Sequence, residues 1–331
     1  MLIDGWDRAG GELQAMAEFG YFLSSEDHHP HDLVEQARLA RAHGLDRLWI
    51  SDHYHPWLDE QGHSPFVWGI IGAISAAVPE TYVTTAVTCP IMRIHPAVIA
   101  QAAATASLQL DGRFRLGVGT GEALNEHILG DRWPAADERL ERLREAIEIM
   151  RALWTGEQFS HRGEHFVVDR ARLYDHPSEM IEVPMSAFGP KALEVAIDVA
   201  DGFMTVSPDA ESRATYDRDG GRGPTQAGIK VCWGPDEDTA AELVHHLWRN
   251  QGVEGELSQE LPMPAHFDQA SSLVTLDTIK ELVPCGPDPE RHVAAIKEYI
   301  DAGFDEIYVC QIGPDQAEFF DFFERDVLPR L

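Results

Sequence analysis

The sequence predicts an α/β chain folded as a (β/α)8 TIM barrel with insertions. Three observations carry that expectation. Eight short runs rich in β-branched and aromatic residues recur along the chain, and the segments between most of them show helical periodicity. Polar and titratable side chains collect just after several of those runs. Strands that alternate with helices imply a parallel sheet. Eight such units close into a barrel whose chemistry lies at the C-terminal strand ends. A doubly wound open sheet is the architectural alternative. The 331 residues exceed the roughly 250 of a simple barrel, so one elaborated domain spanning 1–331 is expected.

The elements follow in order. Residues 1–17 read as an N-terminal extension. The first strand is Phe19 to Leu23, with an amphipathic helix from His31 to His43. The second is Asp46 to Asp52 (DRLWISD), followed by a helix over Phe66 to Val78. The third is Tyr82 to Cys89, with a helix over Pro96 to Leu110, and the fourth is Phe114 to Gly121, with a helix over Ala136 to Leu153. The fifth, Val183 to Phe188, and the sixth, Gly202 to Ser207, are short apolar runs. The seventh is expected at Lys230 to Gly234, with a helix over Asp238 to Asn250. The eighth is Glu306 to Gly313, and a helix over Gln316 to Leu328 closes the chain. Residues 156–180 (with QFSHRGEHFVVD) read as a β-hairpin insertion, and residues 251–270, interrupted by Pro and Gly, as a long loop. Long loops at a barrel mouth often act as lids.

Charge narrows the function classes. There are 26 Lys+Arg against 56 Asp+Glu, a formal net charge of −30. A nucleic-acid binder needs a basic face, and docking on anionic membranes needs basic clusters, so neither partner is expected. The four cysteines, Cys89, Cys232, Cys285 and Cys310, show no CxxC spacing and read as small buried hydrophobes. No signal-like basic and apolar start is visible, and no apolar run reaches about 18 residues. A reducing, cytoplasmic setting is the expectation.

The candidate site comes from the strand ends. The second strand runs into Ser51-Asp52-His53-Tyr54-His55-Pro56-Trp57, and the fourth into Gly119-Thr120-Gly121-Glu122-Ala123-Leu124-Asn125-Glu126. An imidazole titrates near neutral pH, which suits His53 to general-base work; a lone histidine after a strand is more often a hydrogen-bonded structural group. Asp52 can orient it. Glu122 follows a tight turn, where its plain role is a favourable charge at a helix start and its functional role an acid held in a dry pocket. Glycines 119 and 121 allow backbone to approach a flat ligand. His28, His29 and His31 in EDHHPHD read as a solvated loop. His53-x-His55 is like the metal pair of barrel hydrolases, but the fifth, sixth and eighth strand ends read AFGPK, TVSPD and QIGPD, where only Asp315 is a candidate ligand. No metal is expected.

Longer motifs add to this reading. SDHYHPW (51–57), GHSPF (62–66), HPAVIAQA (95–102), GVGTGEALNE (117–126) and FFERDVLPRL (322–331) occur in order across nearly the whole chain. In these segments the sequence resembles the luciferase-like superfamily of barrel oxidoreductases. Within it, the resemblance is to the coenzyme F420-dependent, glucose-6-phosphate dehydrogenase-like branch. That resemblance implies His53 as the catalytic base, Glu122 as the acid that serves N1 of the deazaflavin, and Trp57 as the active-site aromatic that excludes water and touches substrate. It implies cofactor contacts from Asp52, Asn125, Thr120, Gly121, Gly189 and the neighbouring Phe188. It also implies a cis peptide between Ala86 and Val87 behind the ring, and a substrate-contacting carboxylate at Glu26.

The implied reaction is oxidation of a hydroxyl by hydride transfer to the deazaflavin. The branch's sugar-phosphate enzymes hold phosphate with two lysines and an arginine, and an ungapped alignment puts those positions at Asp209, Gln269 and Glu281. Basic character is lost there, with Lys280 one residue from the last position as the one cation a shifted register would bring in, which favours a neutral sugar or another small alcohol over a phosphate dianion. Phe188 stands where the branch has a glycine. A homodimer is the implied assembly. Two other readings stay open from sequence: an FMN-dependent monooxygenase on the same barrel, and a non-catalytic cofactor-binding protein.

Overall fold

In the computed structural model, residues 17–253 and 255–331 are described. The N-terminal extension therefore lies outside the described residues, apart from Ala17. Among the described residues there are ten strands: β1 (Glu18–Leu23), β2 (Arg47–Ile50), β3 (Tyr82–Thr85), β4 (Phe114–Arg115), β5 (Phe159–Arg162), β6 (Val167–Ala171), β7 (Pro184–Ser186), β8 (Gly202–Thr205), β9 (Thr225–Val231) and β10 (Glu306–Gln311). Eight of them pair in parallel in the order β4-β3-β2-β1-β10-β9-β8-β7. The two ends of that sheet meet. Val118, just past β4, bridges Met185 of β7. Its amide donates to the Pro184 carbonyl at 2.9 Å, and the Ser186 amide donates to the Val118 carbonyl at 2.9 Å. The sheet is thus a closed barrel, and the doubly wound alternative is excluded.

Helices pack outside it, and their starts follow from local chemistry. His29 and His95 each precede a proline, and their Nδ1 atoms accept the amides of His31 and Ala97 at 3.3 and 3.1 Å. Proline at the first helical position loses no hydrogen bond, so the two His-Pro pairs open Pro30–Ala42 and Pro96–Gln109. The histidine-rich EDHHPHD stretch is in this respect a helix cap. The helix Ala136–Trp154 buries Leu140, Leu143, Ile147, Met150 and Trp154 at three- and four-residue spacing, which is how one helical face meets a sheet. The helices Pro190–Val199, Ala210–Arg218, Leu276–Leu282 and Pro289–Asp301 are among those that the sequence does not announce.

The barrel interior is layered. At its N-terminal end Glu306, 4 % exposed, accepts from Arg115 at 2.8 Å, from Gln226 at 2.9 Å and from the Tyr308 hydroxyl at 2.6 Å, with Arg47 3.5 Å away. Above this, Trp49 stacks on Tyr308 with centroids 4.5 Å apart and meets the edge of Phe22 at 5.7 Å. A Cβ at position 228 would lie 2.7 Å from the Trp49 ring, so only glycine leaves room for that indole.

This layer explains one correction. The seventh barrel strand is Thr225–Val231, not Lys230–Gly234. Gln226 and Gly228 break the apolar run because they face the interior, where Gln226 accepts the Trp49 indole N–H at 3.0 Å. The apolar signal of the strand sits on its alternate, outward residues.

Both insertions take definite form. β5 and β6 pair antiparallel as expected. Glu145 anchors the hairpin by accepting the amides of His165 and Phe166 at 3.0 and 2.9 Å, with His161 2.9 Å away. Residues 251–270, expected as a long loop, instead carry helices Leu257–Glu260 and Pro264–Ala270. Pro264 starts a helix there rather than breaking one. The terminal helix is also shorter than expected. It runs Gln316–Phe322, widens into a π turn over Phe323–Val327 and ends in a 3-10 turn at Leu328–Arg330. Pro329 has no amide with which to continue an α ladder. All four cysteines are free and buried. Among the described residues no helix is long and apolar enough to cross a membrane, and no three His, Cys, Asp or Glu side chains converge as a metal site.

Candidate active site

The C-terminal mouth of the barrel gathers residues from both long motifs. His53 leaves β2 with its side chain only 10 % exposed. Its Nδ1 lies 3.3 Å from the His55 carbonyl oxygen and its Nε2 lies 3.5 Å from Glu26 Oε1. Glu26 leaves β1 and is almost fully buried. The hydroxyls of Ser24 and Ser51 donate to its Oε2 at 2.7 and 2.8 Å. Burial works against its charge, yet His53, Lys230 and these two hydroxyls together outweigh burial and hold the carboxyl below its ordinary range. Trp57 flanks the imidazole with ring centroids 5.0 Å apart. It is braced in turn by the edge of Phe267 at 5.0 Å, from the helix in the 251–270 insertion.

Asn125 ties the two motifs together. Its Oδ1 accepts the amides of Tyr54 and His55 at 2.9 and 3.1 Å, and its Nδ2 donates to Glu122 Oε2 at 3.2 Å. Glu122 is therefore held by an amide at the start of the short helix Ala123–Glu126 and is half-buried. The expectation of a dry acid in this motif is met by a different residue. Glu126, 1 % exposed, is the enclosed carboxyl, and burial lifts it to about 7 against the pull of Arg93.

Asp52 is buried, and each of its carboxylate oxygens accepts one hydrogen bond: Thr88 donates to Oδ2 at 2.8 Å and Arg93 to Oδ1 at 2.8 Å. The Ala86–Val87 peptide is cis. Both residues are half-buried and rest on the layer of Phe22, Trp49, Met204, Tyr308 and Cys310. Gly119 packs tightly against this segment, since a Cβ there would sit 2.7 Å from Val87 Cγ2. Gly121 has φ +73° and a Cβ would meet Cys89 Sγ at 2.6 Å, so that turn requires glycine. Thr120 beside it is half-buried. At the end of β7, Phe188 is 61 % exposed and Gly189 has open space where a Cβ would go.

Sequence reasoning missed two cations here. Lys230 sits on β9 with its Nζ 5.0 Å from the Phe22 ring centre and 4.3 Å from that of Trp248. Aromatic faces attract ammonium groups at such distances. Displacement of the seventh strand hid it: read at the start of a strand, Lys230 has no reason to point into the mouth. Arg93 lies in a turn after β3 with no recognisable signal around it. The positions where the resemblance places phosphate-binding cations are exposed. Asp209 caps the helix Ala210–Arg218 by accepting the Ser212 amide at 2.9 Å. Gln269 and Glu281 point to solvent, and the Lys280 ammonium is bonded to Asp238 at 2.5 Å.

Comparison with known proteins agrees with this architecture. The sequence profile of the luciferase-like monooxygenase family matches residues 14–306. An F420-dependent glucose-6-phosphate dehydrogenase of Microbacterium testaceum is 35 % identical over 95 % of this chain and 97 % of its own length. One from Nocardia farcinica is also 35 % identical, over 95 % and 98 %. Among solved structures, an F420-dependent secondary alcohol dehydrogenase in complex with an F420-acetone adduct superposes with a TM-score of 0.87 at 30 % identity, over 95 % of this chain and 99 % of that one. The coenzyme F420-dependent tetrahydromethanopterin reductase of Methanopyrus kandleri shares the fold, with a TM-score of 0.73 at 21 % identity. Its closed parallel barrel and these full-length matches make the chain a member of the luciferase-like monooxygenase family, an oxidoreductase whose relatives include F420-dependent dehydrogenases.

Proposed function

We propose that this chain is a coenzyme F420-dependent dehydrogenase that oxidises a hydroxyl of a neutral sugar or other small alcohol, with His53 as base and Glu122 as acid. The observation that carries the reading is the placement of His53 between the His55 carbonyl and the Glu26 carboxylate, flanked by Trp57, at the barrel mouth. The residues there fit a flat ring. Ala86 and Val87 offer a half-buried backbone shelf, Gly119 and Gly121 keep side chains away from it, and Gly189 leaves its rim open. Thr120, Asn125, Asp52, Phe188 and Gly189 are the further groups that would hold the cofactor.

When bound, the deazaflavin supplies a hydride acceptor at C5. The chain's own residues handle protons and position. In the neutral ring of His53, Nδ1–H donates to the His55 carbonyl, which leaves Nε2 free to take the proton of the substrate hydroxyl. The imidazolium so formed faces Glu26, whose anionic form the surrounding groups favour. Glu122, oriented by Asn125, supplies or polarises a proton at ring N1. Trp57 and Phe267 wall the site against water. The exposed Asp209, Gln269 and Glu281 offer no cation to a phosphate, which supports an uncharged substrate.

The direct test is a titration with coenzyme F420 and, separately, FMN, read by intrinsic tryptophan fluorescence. F420 is expected to bind at least tenfold more tightly. With F420 bound, secondary alcohols and neutral sugars are expected to bleach the cofactor absorbance, and glucose 6-phosphate to do so poorly. Preference for FMN would move the chain to the monooxygenase branch. Efficient turnover of glucose 6-phosphate would overturn the substrate assignment.

The same reading includes a homodimer. A groove of about 310 Å³ between the helices Val67–Ala77 and Pro96–Gln109 is lined by residues such as Phe66, Trp68, Ile71, Val98 and Ile99, without a charged side chain. Phe66 and Val98 are 60 % and 56 % exposed. In a chain of net charge −30, a neutral apolar face is where two copies repel least. Val98→Glu is expected to shift the mass measured by light scattering from dimer to monomer; an unchanged dimer would place the interface elsewhere.

A further inference from the structure

Arg93 and Glu126 have no role in the chemistry described above, yet they form a deeply enclosed ion pair beside it. Their side chains are 7 % and 1 % exposed. The Arg93 Nε reaches Glu126 Oε1 at 3.4 Å and the Arg93 backbone amide donates to Oε2 at 2.8 Å. The same guanidinium donates through Nη2 to Asp52 Oδ1 at 2.8 Å. One cation therefore joins the end of β2, which carries Asp52 and His53, to the helix that carries Asn125 and Glu122.

We propose that Arg93 and Glu126 are positioning residues for the cofactor site, a buried clamp that orients Asp52 toward the bound cofactor and couples its affinity to the protonation of Glu126. This inference rests on the F420 reading above. A guanidinium can bridge two carboxylates because its donors are fixed in a planar fork, whereas an ammonium is a single point of charge. Two carboxylates around one cation leave the cluster with an excess negative charge when both are ionised. Burial makes that state costly, and the carboxyl that yields is Glu126, lifted to about 7. The groups facing it are Arg93, Asp52 and Glu122, together with Cys89, whose thiol burial holds in its neutral form.

The sign of the coupling follows. Below about pH 7 Glu126 is protonated and Arg93 neutralises Asp52 alone. Above it the cluster carries one more negative charge, which opposes an anionic cofactor. By linkage, cofactor binding and Glu126 protonation favour each other. The F420 dissociation constant of the wild-type protein is therefore expected to rise between pH 6 and pH 8. A coupling of one pKa unit corresponds to roughly tenfold.

The test measures that constant by tryptophan fluorescence at pH 6, 7 and 8 for the wild type, Glu126→Gln and Arg93→Lys, with folding checked by circular dichroism and melting temperature. Glu126→Gln keeps an acceptor for the Arg93 amide and removes the titration, so its affinity is expected to stay flat at about the wild-type pH 6 value. Arg93→Lys is expected to lose roughly tenfold in affinity, since an ammonium cannot serve both carboxylates. A merely structural clamp would lower the melting temperature and leave the pH profile of affinity as in the wild type. That profile in Glu126→Gln, or wild-type affinity in Arg93→Lys, would overturn the proposal. Failure of the wild type to bind F420 at any pH would remove the cofactor reading itself, and the clamp with it.

Discussion

Replacing His53 with alanine is expected to lower kcat by roughly 10²- to 10⁴-fold while leaving the F420 dissociation constant within about twofold of the wild type. General-base catalysis contributes on that scale. The imidazole contacts the His55 carbonyl, Glu26 and Trp57, none of which belongs to the shelf at Ala86 and Val87. Affinity for the cofactor and turnover should therefore separate. Single-turnover reduction of F420 by a saturating alcohol would isolate the chemical step from product release. Near wild-type single-turnover rates would remove His53 as the base. A large loss of cofactor affinity would make it a binding group instead.

Replacing Glu306 with alanine is expected to cost about 3 kcal/mol of stability, far from the mouth. The carboxylate is the shared acceptor for Arg115, Gln226 and Tyr308, and it also balances Arg47. Removing one partner of a buried ionic cluster leaves the other charges uncompensated and is strongly destabilising, by about 3–5 kcal/mol where burial is complete. Arg115 and Arg47 keep 20 % and 17 % side-chain exposure, which places the expectation at the lower end. For a chain of this length that corresponds to a melting-point drop of roughly 4 °C. A scanning calorimetry trace unchanged within about 1 °C would mean that water reaches the cluster and solvates the arginines.

The parts of this protein that sequence made legible share a physical reason. Strand ends in a parallel barrel are local in sequence, so SDHYHPW and GVGTGEALNE each present their site residues in one continuous run. Asp52, His53, Trp57, Glu122 and Asn125 could be assembled on paper because neighbours in the chain are neighbours at the mouth. Lys230 and Arg93 were not legible for the opposite reason. Each acts on residues that other elements carry, Arg93 on those that follow the two neighbouring strands and Lys230 on Phe22 and Trp248, and neither stands in a polar cluster of its own. Lys230 also suffered from Gly228, which reads as a break and is in fact the space that the Trp49 indole fills. The distinction between Glu122 and Glu126 depends on which side of one helical turn meets Arg93, and no spacing rule decides that. The helices Leu257–Glu260 and Pro264–Ala270 read as loop because Pro262, Pro264 and the nearby glycines punctuate the segment, although Pro264 at a helix start loses no hydrogen bond.

The stacked interior has a kinetic corollary. Trp49, Tyr308, Gln226 and Glu306 are buried and fill the lower interior of the barrel, so ligands are expected to come and go by the mouth. Ala86 and Val87 rest on that interior layer, so a ring bound on them would sit deeper than a molecule at His53 and Trp57, arriving first and departing last. On the proposed function, turnover should then follow a compulsory sequence, with the alcohol binding second and its carbonyl product leaving before the reduced coenzyme. Product inhibition patterns would display that sequence directly: the carbonyl compound should be non-competitive toward F420, and the reduced coenzyme competitive with it.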